Sequence, residues 1–126
     1  MVERGVGYQP PVEHFSEPLS EVRAAQNETV FRDANERIET RLNELSLVEG
    51  RSPFLCECPD PGCTRILRLT LTEYEHVRDD GRSFVVAPGH STDDERVLRR
   101  TDGFWVVCKS GTGGRIAQRA DPRRRT

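Results

Sequence analysis

The sequence predicts an α+β domain in which a long N-terminal amphipathic helix packs on a small, mostly antiparallel, zinc-stabilised sheet. Three observations predict it. Apolar residues recur at three- and four-residue steps from Phe31 to Leu45. After Gly50 the texture changes to short apolar runs separated by Pro, Gly and Asp turns. Three cysteines, Cys56, Cys58 and Cys63, then crowd into one short stretch.

Residues 1–19 hold Pro10, Pro11 and Pro18 among polar residues and read as an irregular arm. Residues 20–48 read as the helix, with Phe31, Ala34, Ile38, Leu42 and Leu45 forming one stripe. Glu36, Arg37, Glu39 and Arg41 fill the other face. The stripe packs on the domain's own sheet or, alternatively, on a second copy in a helix-mediated homodimer.

Residues 49–110 read as a zinc-binding, β-rich domain. Strands over Ser52–Cys58 and Cys63–Leu69 flank the turn Pro59-Asp60-Pro61-Gly62. Thr72 with Glu75 is a capping-box signature for a short helix carrying Leu71, Tyr74 and Val77. Ser83–Ala87 is a strand closed by Pro88-Gly89, and Arg96–Arg100 with Phe104–Lys109 form a hairpin about Thr101-Asp102-Gly103. Residues 111–126 are rich in glycine and arginine, poor in apolar side chains, and read as a disordered basic tail.

Composition bounds the function. Apolar residues make up 34% and charged residues 32%, so the core is small and in want of a staple such as a structural metal. The formal net charge of −2 argues against a chain built mainly to coat nucleic acid. The early residues Glu3, Arg4, Glu13 and Glu17 interrupt any apolar run of the kind a secretory signal needs. No stretch reaches the roughly 18 apolar residues of a membrane span. A cytoplasmic, reducing location is therefore expected, where cysteines read as metal ligands or free thiols before disulfides.

In an extended segment residues i and i+2 share a face, so Cys56 and Cys58 present both sulfurs to one side. The Pro-Asp-Pro-Gly turn returns Cys63 to the same end, and tetrahedral zinc at about 2.3 Å from each sulfur needs sulfurs about 4 Å apart. A Cys56–Cys58 disulfide would close a strained ring. Chance core cysteines and an iron–sulfur cluster recruiting Cys108 are the other competing readings. The fourth zinc ligand is His90, aimed by the preceding Pro88-Gly89, or Cys108. His76 falls on a solvent-facing side of the short helix and His14 in the arm. A thiolate-rich donor set makes zinc a poor Lewis acid and favours a structural role, with a zinc-thiolate redox sensor as the alternative.

These residues carry a resemblance. Asn27-Glu28, Asn35 to Ile38, Phe54 to Cys58 with Cys63, Leu71 to Arg78, and Phe84 to His90 together resemble a family of small actinobacterial-type proteins. The family combines a CxC-x4-C cluster with a Pro-Gly-His block, and the likeness covers Asn27 to about Lys109. It implies Cys56, Cys58, Cys63 and His90 as the ligand set, in preference to Cys108. What it implies is an architecture and a source, not an activity.

No nucleophile motif stands out, and Gly111-Thr112-Gly113-Gly114 lacks the Lys-Ser/Thr of a phosphate-binding loop. The function expected is a non-enzymatic interaction or regulatory module whose partner is another protein. A nucleic-acid or ribosome-associated factor, acting through Arg115, Arg119 and Arg123–Arg125, is a further alternative. That tail interleaves no aromatic for base stacking.

Overall fold

The computed structural model describes residues 17–123, in the order α1 (Glu17–Glu44), β1 (Arg51–Leu55), β2 (Ile66–Thr70), α2 (Leu71–Val77), β3 (Ser83–Val86), β4 (Glu95–Arg100), β5 (Trp105–Lys109) and α3 (Gly111–Arg119). The fold is α+β. Most of the expected arm, His14 included, lies outside the described residues. Among the described residues no helix is long and apolar enough to cross a membrane.

Helix α1 begins at Glu17 and stops at Glu44, short of the expected Val48. Ser46 takes a left-handed conformation with φ 59°. Its N–H donates to Asn43 O at 3.1 Å, and the Leu47 N–H donates to Leu42 O at 2.8 Å. These are the paired bonds of a Schellman close, which ends a helix wherever one residue accepts the left-handed turn.

The buried face of α1 differs from the expected stripe. Ile38 and Leu42 do pack on the core, but Leu45 is exposed. The deepest line is Ala25, Glu28, Arg32 and Asn35, all fully buried. The reason lies in what α1 faces, which is a surface of unpaired carbonyls and charges. Arg32 donates through Nη1 to Gly81 O and through Nη2 to Ala117 O, both at 2.7 Å, with its guanidinium 4.9 Å from the Phe84 ring centre. A buried carbonyl without a donor costs about 1–3 kcal/mol, so a polar helix face is the stable partner here.

The single expected sheet is two. β1 pairs β2 antiparallel, with Phe54 opposite Leu67. A three-stranded antiparallel sheet runs β3-β5-β4, with Phe84 opposite Val107. Strict alternation on β1 and β2 buries Ser52, Phe54, Leu67 and Leu69 and turns Arg51, Pro53, Ile66 and Arg68 outward. Phe54 stacks on Tyr74 with ring centres 4.5 Å apart, joining the hairpin to α2 in one core with Phe84 and Val107. The α2 capping box is Thr70 with Glu73, two residues earlier than expected: Glu73 N–H donates to Thr70 Oγ1 at 3.0 Å and Thr70 N–H to Glu73 Oε1 at 2.9 Å. Both pairs fit the sequence signature, and the end of β2 selects the first.

The expected disordered tail is in part helix α3, packed against α1. Gly113 and Gly114 are there for close approach rather than looseness. A Cβ on Gly113 would lie 2.5 Å from Lys109 Cε, and one on Gly114 2.6 Å from the Lys109 carbonyl oxygen. Lys109 is fully buried, with Nζ 3.1 Å from Glu28 Oε1, 3.1 Å from Asp94 Oδ2 and 3.5 Å from Glu95 Oε2. A second cluster follows α3, where buried Arg78 donates to Glu36 at 2.5 Å and also to Asp121. Arg123 then pairs with Glu36 at 2.8 Å, Glu39 at 2.5 Å and Glu75 at 2.9 Å. One arginine of the expected free tail is thus committed inside the protein.

Candidate metal centre

Cys56 and Cys58 stand just past β1, which ends at Leu55, so they lie in the connecting loop and not on a strand as the sequence suggests. The extended course nevertheless continues. Cys56 N–H donates to Arg65 O at 3.2 Å, a last rung of the hairpin, and Glu57 N–H donates to Val85 O at 2.8 Å. The loop is therefore stitched to β3 and joins the two sheets. Asp60 shapes the turn, its Oδ1 accepting from Gly62 N–H at 2.9 Å and its carbonyl from Cys63 N–H at 3.1 Å. Asn27 of α1 clamps the same turn by donating to Pro59 O at 3.0 Å.

His90 arrives by a different route. Its N–H donates to Ala87 O at 2.9 Å across Pro88-Gly89, with Gly89 at φ 85°. Pro followed by a positive-φ glycine is the type II turn, and a side chain at Gly89 would be strained there. The turn swings the ring over the cysteines.

One ligand atom from each of Cys56, Cys58, Cys63 and His90 lies within 4.8 Å of all the others. His90 Nδ1 is 3.6 Å from Cys56 Sγ and 3.8 Å from Cys63 Sγ. A tetrahedral ion at ordinary metal–sulfur and metal–nitrogen distances sets sulfur and nitrogen about 3.6 Å apart, so the spacing of His90 from the two sulfurs is compatible with a metal ion. Cys108 is not part of this group; it sits on β5 opposite Ser83. His76 is exposed on α2.

Cys56 and Cys58 are buried, while Cys63 and His90 form a half-exposed rim. Burial pushes both buried thiols upward, an effect the Ala87 N–H partly offsets at Cys56, where it donates to Sγ at 3.1 Å. Thiols held this way are poor acids alone, and a bound cation supplies the charge that lets them ionise.

The residue that sequence reasoning missed is Glu57, between the two cysteines. It is fully buried and points into the core. Its Oε2 accepts from Asn35 Nδ2 at 2.7 Å and from Tyr74 OH at 3.0 Å, and its Oε1 accepts from Val85 N–H at 3.0 Å. Burial raises its pKa, and these three donors pull it back. Asn35 also closes on Leu55, accepting from its N–H at 2.8 Å and donating to its carbonyl at 2.9 Å. The signal was available, because the alternation that puts Cys56 and Cys58 on one face puts Glu57 on the other.

Compared with family models, characterised proteins and solved structures, the chain matches none. The site is accordingly read from its own geometry.

Proposed function

We propose that Cys56, Cys58, Cys63 and His90 hold one structural zinc ion, and that the protein is a non-enzymatic interaction or regulatory module. The observation that carries this is the convergence of three sulfurs and one imidazole nitrogen within 4.8 Å. Three soft sulfurs and one nitrogen in a closed set suit Zn²⁺ in its structural mode. The ligands come from the β1–β2 loop and the turn after β3, so one ion would tie the two sheets together. Such sites supply on the order of 10 kcal/mol of apparent binding energy, comparable to a domain's entire net stability.

Elemental analysis of protein purified without a metal-affinity step tests it. One zinc per chain is expected, falling in His90→Ala, with cooperative unfolding lost in Cys58→Ser. Protein free of metal, or a Cys58→Ser variant that unfolds as wild type does, would overturn the structural-zinc reading; iron would redirect it to a cluster.

The half-exposed Cys63 at the rim favours a second reading, a zinc-thiolate redox sensor. In that case a low excess of hydrogen peroxide oxidises two of the thiolates to a disulfide, is itself reduced to water, and frees the zinc. Zinc retained under such treatment removes this reading and leaves the first intact.

A further inference from the structure

We infer that the arginine face formed by β1, β2 and β4 binds single-stranded nucleic acid. This deepens the interaction-module reading by naming a partner class, and it rests on residues that do not touch the metal cluster.

The face is assembled from two sheets. Arg51 and Arg68 point outward from the β1–β2 hairpin and Arg99 reaches in from β4, and together they line a groove of about 510 Å³ with Ile66 and Phe104. Arg99 reaches it because of a β-bulge. Arg96 stands opposite Cys108 and Arg99 opposite Val106, with a register shift between Val97 and Arg99. Three residues of β4 therefore span two of β5. In a regular strand Arg96 and Arg99 would face opposite sides, whereas the extra residue puts both on one face. Arg100 follows, opposite Trp105, and points to the other side of the sheet.

The charge is largely uncommitted. Arg51 pairs with Glu73 at 2.6 Å, and Asp102 lies at the groove. Among the described residues, Arg68, Arg96, Arg99 and Arg100 have no carboxylate within ion-pair distance. Arginines and a bulge on β4 also serve to protect an open sheet edge from self-pairing. Edge protection does not explain why Arg51 and Arg68, from another sheet, gather around the same depression.

An aromatic ring lies under one guanidinium group of the groove. Arg99 is 5.9 Å from the Phe104 ring centre, while Arg100, on the opposite side of β4, is 4.8 Å from that of Trp105. A guanidinium fixed over a ring leaves its outer plane free for a nucleobase, while its N–H fork matches phosphate oxygens. Exposed Ile66 adds apolar surface at the groove. An acidic peptide would satisfy the charge but leave those planes unused. The expected binding through the C-terminal arginines fits less well, since Arg123 is already held by three glutamates.

The full-length protein is titrated with fluorescein-labelled mixed-sequence RNA and DNA single strands of ~20 nucleotides, and with a labelled polyglutamate peptide, at about 50 mM salt. Expected are saturable oligonucleotide binding and a log–log salt slope of about −2 for three phosphate contacts. The double variant Arg68→Glu/Arg99→Glu weakens binding about 10-fold or more, whereas Arg115→Glu/Arg119→Glu on α3 does not. The conservative Arg68→Gln/Arg99→Gln pair should weaken binding in the same direction with its unfolding midpoint kept. Absence of oligonucleotide binding overturns the inference. So does a double variant that binds as wild type does, and so does polyglutamate binding as tightly as the oligonucleotides, which would mark an acidic-protein surface. Zinc measured on the same samples separates the two proposals: a zinc-loaded protein that binds no oligonucleotide sinks only this one.

Discussion

Helix α1 holds two polar regions of the molecule, and they are built on opposite principles. At the cysteine end, Asn27 and Asn35 reach the Cys56–Cys63 loop, and the three cysteines themselves lie close together in the chain. At the other end Glu28 and Arg32 meet Lys109, Gly81 and the Ala117 carbonyl of α3. At the first end burial raises the Cys56 and Cys58 thiols, and a cation is what lets them ionise. The second is closed upon itself, Lys109 matched by carboxylates and Arg32 by carbonyl oxygens of the same chain. One end is finished by something taken from solution, the other by the chain's own C-terminal part. The difference teaches that a small apolar core can be supplemented in two ways within one fold, and that the two should fail separately.

The sharpest attempt to separate them is Lys109→Met. It leaves the Asp94 and Glu95 carboxylates beside an apolar side chain, and stranding buried charge in this way costs about 3–5 kcal/mol. Urea unfolding should show that loss while the metal content of the folded fraction stays at the wild-type level. A loss of metal in parallel would mean that the two ends are one unit.

Asn35→Ala should cost less, about 1–3 kcal/mol, by removing a donor from Glu57 and both bonds to Leu55. Its signature is at the cysteine end. A chelator should strip metal from this variant sooner than from Lys109→Met of equal or lower stability. The reverse order would break the assignment of Asn35 to the metal loop.

Glu28→Gln is the mildest change. Burial first, then the neighbouring Glu95, raise the Glu28 pKa to about 9 against the opposing pull of Lys109. A carboxyl raised from 4.5 to about 9 on folding carries a proton in the native state that the unfolded chain has lost, so its contribution to stability is complete below about 4.5 and declines as pH rises toward 9. Glutamine has no proton to lose. The variant should match wild type within about 0.5 kcal/mol near pH 4.5 and become relatively more stable by pH 8.5. Parallel urea midpoints at the two pH values would show Glu28 to be ionised in the fold.

The same comparison explains what the sequence revealed. The cysteine end was legible because its information is local: alternation aims Cys56 and Cys58 together, a turn returns Cys63, and Pro88-Gly89 aims His90. The α+β class and the order of α1 through β5 were legible for the same reason, each element carrying its own period and its own turn. The ionic end was not. Glu28 and Lys109 are 81 residues apart, and Arg32 and Ala117 85. A lone glutamate or arginine on a helix carries no mark of the partner it will meet. Helix α3 escaped notice because Gly113 and Gly114 are needed for close approach to Lys109, and glycine's intrinsic preference argues for a loop. The α1 stripe was drawn one position away from the true buried line, since hydrophobic periodicity cannot detect a face that is buried by hydrogen bonding.

Glu57 has one more consequence. Its carboxylate is gripped by Asn35 from α1, Tyr74 from α2 and Val85 from β3. The segment from Cys56 to Cys63 therefore cannot be excised and grafted elsewhere as a self-sufficient binding peptide, since in a foreign host the glutamate between its thiols would lose all three donors. During synthesis the same dependence imposes an order. His90 follows Cys56 by 34 residues, so a nascent chain that displays its thiols still lacks the ring that completes the set. The loop is composed early and becomes a site only after most of the domain has been made.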